Sequence, residues 1–389
     1  MQAKTPLTGG PGCGMPDQIR APGRDMAQPK ILCVVGARPN FMKIGPVIGG
    51  LGARAIAAPL VHTGQHYDAA MNDRFFADLG LPRPDVNLGV GSASHAQQTA
   101  EVMRRFEPVL DDIAPDCVLV VGDVNSTLAC ALVAAKKGVA VAHVEAGLRS
   151  RDRAMPEEIN RVLTDQLSDL LFTTERAALD NLTAEGIDPA RIHFAGNVMI
   201  DTLRANLARA VPAERILGRS GGHALVTLHR PSNVDDSVVL ARLLRCLAEI
   251  AARMPVVFPA HPRTRARIEQ AGLAPLLDRA GVTTLPPQGY LEMLGLMQAS
   301  RIVLTDSGGI QEETTALGIP CLTLRENTER PITVTDGTNT VVGTDPAAIL
   351  EAFADILATG GKAGRVPELW DGKAGERIAA VLAARFAGN

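Results

Sequence analysis

The chain has 389 residues, 46% of them hydrophobic and only 3% aromatic, with a formal net charge of −3. That length exceeds one ordinary core and suits two domains. The charge gives no reason to expect nucleic acid or an anionic membrane as partner, and no apolar run is long enough to span a membrane. With so few aromatics the cores must be built from Ala, Val, Leu and Ile, which suits parallel sheets covered by helices.

Residues 1–29 hold five prolines and five glycines, with no periodic pattern and no apolar core of a signal peptide. They are expected to be a disordered leader or an appended remnant, with Met26 a candidate native start. From Lys30 onward strands and helices alternate. Residues 31–36 are an apolar run, followed by the loop Ala37-Arg38-Pro39-Asn40. Residues 118–121 form the next strand, ending in Gly122-Asp123. Asn125 or Ser126 is a candidate cap for a helix over 127–137. A strand follows over 139–144. Pro156 suits a first helical position, and Glu157 and Glu158 suit the positive helix end. Strands at 170–174 and 192–195 close this half.

The second half repeats the rhythm. Strands are predicted at 224–228, 256–259, 283–285, 302–305, 321–324 and 341–342, with helices between, for example 238–253 and 309–316. This alternation predicts an α/β fold of parallel sheets with right-handed crossovers. Two such halves imply two Rossmann-like domains, 30–200 and 201–370, with a cleft between them and a hinge near 196–207. A last helix within 371–389 is expected, by analogy, to pack back on the first domain. Six scattered cysteines without a CxxC pair read as buried thiols of a cytoplasmic protein rather than disulfides or zinc ligands.

Nearly every unusual polar residue follows a predicted strand: Arg38, Gln65 and His66, Asp123, His143 and Glu145, His229 and Arg230, His261 and Arg263, and Asp306-Ser307. In an open α/β sheet that edge binds ligands. Any one of them alone reads as a cap or loop residue; in register across two domains they predict one shared cleft. Ser307-Gly308-Gly309 opens a helix directly after a strand, as a phosphate site would, and Glu313 lies one turn in, within reach of sugar hydroxyls. The plainer reading is a tight turn with glutamates complementing the helix dipole. No Walker or GxGxxG pattern is present. Arg38 and Lys43 can clamp a diphosphate, and Arg330 is a similar candidate; the alternative is surface charge.

Asp123, Glu145 and Glu157 are the candidate acid/base set, with pKa values expected to be raised in a closed cleft. Glu158 should point about 100° away from Glu157. Arg161, four residues after Glu157, is expected to hold Glu157 in place; the plain reading of that pair is an exposed helix ion pair. His229 can stabilise a leaving diphosphate across the cleft.

These motifs resemble the non-hydrolysing UDP-N-acetylglucosamine 2-epimerases. The resemblance runs from about Lys30 to the C-terminus and is carried by residues 36–43, 63–66, 121–123, 143–149, 156–161, 196–197, 228–233, 305–313 and 328–331. It implies the GT-B-type architecture of two-domain nucleotide-sugar glycosyltransferases, with UDP held mainly by the second domain. The implied reaction expels UDP from C1 as the C2 proton leaves, giving a 2-acetamidoglucal. UDP then adds back and a proton arrives on the other face of C2, with neither NAD nor metal required. By resemblance, Asp123, Glu145, Glu157 and His229 match catalytic positions and Arg161 a supporting one. Arg38, Lys43, Gln288, Ser307, Gly309, Glu313 and Arg330 match positions touching UDP or the sugar, Gly308 lying between two of them. A homodimer is implied as well.

Some members use a second UDP-sugar as activator. Gln65, His66, Arg230 and His261 match that second site, although one of its arginines is absent around residues 91–95. Asn40 and Pro231-Ser232 stand where many members have Glu and Arg-Glu, a departure that bears on the sugar rather than on UDP. The alternatives are a 2-epimerase of a UDP-2,3-diacetamido uronic acid, a hydrolysing epimerase releasing N-acetylmannosamine and UDP, a glycosyltransferase of the same architecture, and a non-catalytic nucleotide-sugar sensor. A Glu145→Gln substitution is expected to lower turnover while leaving UDP affinity nearly intact.

Overall fold

The computed structural model describes residues 28–64 and 79–386. The leader up to residue 27, Gln65 and His66 therefore lie outside the described residues. Two parallel sheets form the framework, one of seven strands and one of six.

The first sheet contains β1 (Ile31–Val35), β2 (Leu60–His62), β3 (Val86–Asn87), β4 (Cys117–Val121), β5 (Ala140–Ala146), β6 (Leu170–Thr173) and β7 (Ile192–Phe194), in the order β3-β2-β1-β4-β5-β6-β7. Its helices are α1 (Arg38–Gly52), α2 (His95–Ile113), α3 (Asn125–Lys136), α4 (Pro156–Leu167), α5 (Arg176–Ala184) and α6 (Val198–Asn206). A short α7 (Ala213–Leu217) leads into the second sheet.

That sheet contains β8 (His223–Thr227), β9 (Val256–Pro259), β10 (Thr283–Leu285), β11 (Ser300–Thr305), β12 (Cys321–Thr323) and β13 (Asn339–Val341), in the order β10-β9-β8-β11-β12-β13. Around it lie α8 (Pro231–Val234), α9 (Ser237–Ala251), α10 (Pro262–Gln270), α11 (Ala274–Ala280), α12 (Tyr290–Gln298), α13 (Gly308–Leu317), α14 (Pro331–Thr335) and α15 (Pro346–Thr359). The last helix is α16 (Ala374–Phe386).

The strands read as continuous apolar runs because both faces of each sheet are covered. In β1 alternate residues diverge. Ile31, Cys33 and Val35 join Phe41, Ile44 and Leu51 of α1 and Ile378 and Leu382 of α16. Leu32 and Val34 join Val102 and Phe106 of α2 and Ala131 of α3. The second sheet divides likewise. Ala224 and Val226 pack with Leu240, Leu244 and Leu247 of α9, while Leu225 packs with Leu296 and Met297 of α12. The five cysteines among the described residues are buried and free.

Two local expectations are corrected. The loop expected at 37–40 is the first turn of α1, where Pro39 lacks only an N–H that a helix start leaves unpaired. Neither Asn125 nor Ser126 caps α3. Val124 occupies that position without a side-chain bond, and both polar residues are buried inside the first turn.

In each sheet the strand order reverses once, between β1 and β4 and between β8 and β11. The crevice at the carboxyl ends of such strands is where ligands bind. No helix among the described residues is long and apolar enough to cross a membrane.

Candidate active site

At the first reversal Asn40 ties the two strand ends together. Its Oδ1 accepts the backbone N–H of Gly36 and Ala37, at 3.3 and 2.9 Å, and its Nδ2 donates to Val121 O at 2.9 Å. Arg38 opens α1, and its side chain lies outside the described structure. One turn on, the buried Lys43 ammonium pairs with Glu145. Gly122 has φ +67°, and a Cβ there would sit 3.1 Å from Asn40 Nδ2, 3.2 Å from Lys43 Nζ and 3.4 Å from Glu145 Oε2. A glycine at this turn lets the pair lie against the backbone.

Glu145 is the most constrained residue of the site. It is 6% exposed and has φ +74°, a left-handed backbone inside β5, where the register with β6 shifts between Val144 and Ala146. Such a conformation costs about 1–3 kcal/mol and persists only where its surroundings enforce it. The bulge re-aims the side chain. Its Oε1 accepts a bond from Arg330 Nη2 at 2.5 Å, so Glu145 sits between a cation of each half.

Asp123 follows Gly122, and its carboxylate takes Arg161 Nη2 at 2.5 Å. Burial alone would raise its pKa, but Arg161 and then Lys43 pull it below the usual carboxylate value. The expectation of a raised value is corrected: the cations outweigh desolvation. Asn160 Nδ2 fixes the same turn by donating to Asp123 O at 2.9 Å.

The expected Arg161–Glu157 pair does not form. Arg161 Nη1 instead binds Glu158 at 2.7 Å, and the buried Glu158 also accepts Ser150 N, Ser150 Oγ and Arg151 N, all within 2.9 Å. Glu157 is half-buried with no side-chain partner among the described residues. Adjacent helical carboxylates point about 100° apart; here the inward one is Glu158. His143 is also reassigned. It lies inside β5, fully buried, with Nδ1 2.7 Å from Asp165 and Nε2 2.8 Å from Gly122 O. Asp165 in turn holds Arg149, so this group supports the turn rather than lining the cleft.

At the second reversal the fully buried Asp306 organises the loop after β8. It accepts the backbone N–H of His229 and of Arg230, at 3.0 and 2.9 Å, and lies 3.0 Å from His229 Nδ1. Burial opposes its charge, but the bond from His229 keeps its pKa low. The half-exposed His229 ring thus has Nδ1 fixed and Nε2 free to face a ligand. Arg230 Nη2 is 3.4 Å from Glu329, and the exposed His261 ring lies 6.1 Å from His229. Gln288 bonds only locally, to Pro286 O at 2.8 Å.

Ser307 precedes α13 without capping it by its side chain. A Cβ at Gly308 would sit 2.9 Å from Glu329 Oε1 and 3.4 Å from the Arg330 guanidinium, so a side chain there would displace the Glu329 carboxylate. A Cβ at Gly309 would meet Met199 at 3.5 Å, an ordinary contact, so the described residues leave that position open.

Glu312 and Glu313 do not act as dipole complements in the first turn; both are buried. Glu313 accepts the Tyr290 hydroxyl at 3.0 Å, and burial pushes its pKa up to about 7. Glu312 lies 3.0 Å from Arg330 Nε and accepts Asn197 Nδ2 at 2.9 Å, while Asn197 Oδ1 caps α6. Arg330 is therefore buried, not surface charge, and touches Glu145, Glu312 and Glu329.

The sequence pointed to Asp123, Glu145, Lys43 and Arg330; the structure joins the last three in one network and holds Asp123 through Arg161. It did not single out Glu312, Glu329, Tyr290 or Asn40 as working parts. The strand–turn–helix spacing that flagged Ser307 and Glu313 carries Glu312 too, but sequence cannot tell which of two neighbouring glutamates meets an arginine.

A family profile described as UDP-N-acetylglucosamine 2-epimerase matches residues 52–383. The UDP-N-acetylglucosamine 2-epimerase of Methanococcus maripaludis is 42% identical over 337 residues, 84% of this chain and 92% of that one. The UDP-2,3-diacetamido-2,3-dideoxy-D-glucuronate 2-epimerase of Pseudomonas aeruginosa is 45% identical over 332 residues, again 84% and 92%. The solved structure of Methanocaldococcus jannaschii UDP-GlcNAc 2-epimerase with UDP-GlcNAc and UDP superposes with a TM-score of 0.85, at 41% identity over 91% of this chain and 99% of that one.

Proposed function

We propose, for a chain that belongs to the UDP-N-acetylglucosamine 2-epimerase family, that it interconverts UDP-N-acetylglucosamine and UDP-N-acetylmannosamine. The carrying observation is that Glu145, at the end of the first sheet near the Arg161-held Asp123, meets Arg330 beside the α13 start of the second. Inverting C2 requires a proton to leave one face and arrive on the other, which calls for more than one carboxylate. In this reading Asp123, Glu145 and Glu157 supply that set. The C1–O bond breaks with its electron pair on the diphosphate, a 2-acetamidoglucal forms, and UDP adds back to C1 as C2 is reprotonated. Lys43, Arg330, His229 and the backbone N–H groups opening α13 stabilise the charge on the departing diphosphate. Glu313, with Arg38, Gln288 and Ser307, completes the nucleotide site.

Arg161 supports Asp123 and Glu158. Division at residues 200 and 201 into two closing domains also belongs to this reading. So do a second nucleotide-sugar site at Gln65, His66, Arg230 and His261, a homodimer and a cytoplasmic location. Buried free cysteines suit a reducing compartment.

A second reading, inversion of the UDP-2,3-diacetamido uronic acid, is favoured by the 45% identity to the Pseudomonas aeruginosa enzyme. Chromatography of the nucleotide sugars after incubation with each substrate separates the two by kcat/KM. A manno product from UDP-N-acetylglucosamine at the higher kcat/KM supports the first reading. A higher value for the uronic acid moves the assignment to the second. Accumulating free UDP points to a hydrolysing enzyme, and no conversion of either substrate overturns both.

A further inference from the structure

Glu145 has no free oxygen in this structure. Lys43 takes Oε2 and Arg330 takes Oε1, and the carboxylate is buried at the bulge of β5. A carboxylate with both oxygens bonded to buried cations has neither oxygen turned to a substrate. Yet the same two cations are the ones available to a diphosphate at the start of α13. Arg330 lies beneath Gly308, and its Nη1 and Nε hydrogens find no acceptor in hydrogen-bond geometry, although Glu312 and Glu329 are within ion-pair distance.

We infer that Lys43 and Arg330 form a cage that holds Glu145 idle in the free protein, and that a nucleotide diphosphate opens it by competing for both cations. This rests on the proposed function and adds a coupling to it: binding of the nucleotide releases the carboxylate that acts on the sugar.

The charge balance of the cluster supports the direction. Lys43, Arg161, Arg230, Arg325 and Arg330 face Asp123, Glu145, Glu158, Glu312 and Glu329, five formal charges of each sign. A nucleotide-sugar diphosphate adds two negative charges that nothing in the cluster offsets. The cations must redistribute toward the phosphates, and the carboxylate they leave has its oxygens free for the sugar. The strained backbone of Glu145 keeps that side chain aimed at the same place while its partners change. The expectation that removing its charge leaves UDP affinity intact is therefore reversed.

The experiment is calorimetric titration with UDP of the full chain and of Glu145→Gln, with Glu157→Gln as control. Glu157 lies close in the chain but has no cation partner among the described residues. Glu145→Gln is expected to bind UDP about tenfold tighter, and Glu157→Gln with unchanged affinity. Equal or weaker binding by Glu145→Gln, or equal tightening in both variants, overturns the cage while leaving the proposed function standing. A wild-type chain that does not bind UDP overturns both. Should Glu145→Gln fail to fold, UDP titration of Glu145→Asp, whose shorter side chain cannot span both cations, takes its place. Tighter UDP binding by Glu145→Asp than by the wild type supports release of Glu145, and equal or weaker binding contradicts it.

Discussion

Asp123 keeps its charge because Arg161 and Lys43 outweigh its burial. In the proposed reaction Asp123→Asn removes a reacting group and leaves Arg161 facing a neutral amide. The expected outcome is a loss of about 10²- to 10⁴-fold in kcat with the fold intact, measured by steady-state kinetics beside a melting curve. Glu175 is a different case. It is 2% exposed, its side chain has no partner among the described residues, and burial pushes its pKa up to about 7 from 4.5. The folded protein therefore holds a proton that the unfolded chain has lost between those two values. The stability contributed by the neutral acid is full below pH 4.5 and is lost as the pH rises through 7. At ~1.4 kcal/mol per pH unit this amounts to roughly 3 kcal/mol. Glu175→Gln mimics the neutral form, so it should unfold at higher denaturant than the wild type at pH 8 and at similar denaturant at pH 4. Better stability of the wild type at pH 8 would contradict this. At this scale the sequence is least legible. It marks which carboxylates stand at strand ends, but Glu157 and Glu158 exchange roles by one step of a helix. The left-handed backbone of Glu145 has no signature beyond the glycine two residues later.

Among the elements, α16 does the most to join the ends of the chain. It lies on α1 through close backbone contact: a Cβ at Gly375 would come within 2.5 Å of Pro46 O, and one at Gly50 within 2.8 Å of Gly375 O. Asp201 of α6 accepts the N–H groups of both Ala374 and Gly375, at 3.1 and 2.7 Å, satisfying donors that a helix start otherwise leaves open. Trp370 is fully buried and donates to Thr174 O at 3.1 Å. Gly375→Ala should push the two helices apart and cost about 1–3 kcal/mol, read from the urea midpoint at unchanged slope. An unchanged midpoint would mean that the contact yields freely. The main strands and the α4 start were legible because apolar runs and a proline leave a clear trace. Two short strands, β2 of three residues and β3 of two, were not read from the sequence, and in β3 two residues are too few for any alternation to register. The start of α1 was hidden by Pro39, which suits a loop and a first helical turn alike.

At the scale of the molecule, the buried chain Asn197–Glu312–Arg330–Glu145 links the two parallel sheets near their strand-order reversals. The two-sheet plan was legible because strands alternating with helices leave few other solutions. The link was not, since it joins residues 115 and 185 positions apart through side chains whose facing depends on both halves. An enzyme that inverts C2 by removing its proton must exchange that proton with solvent. Proton NMR of UDP-N-acetylglucosamine incubated with the protein in D2O measures this directly. Deuterium is expected at C2 of both the gluco and manno nucleotide sugars, with little free UDP. A C2 proton fully retained, with no manno product formed, would contradict it.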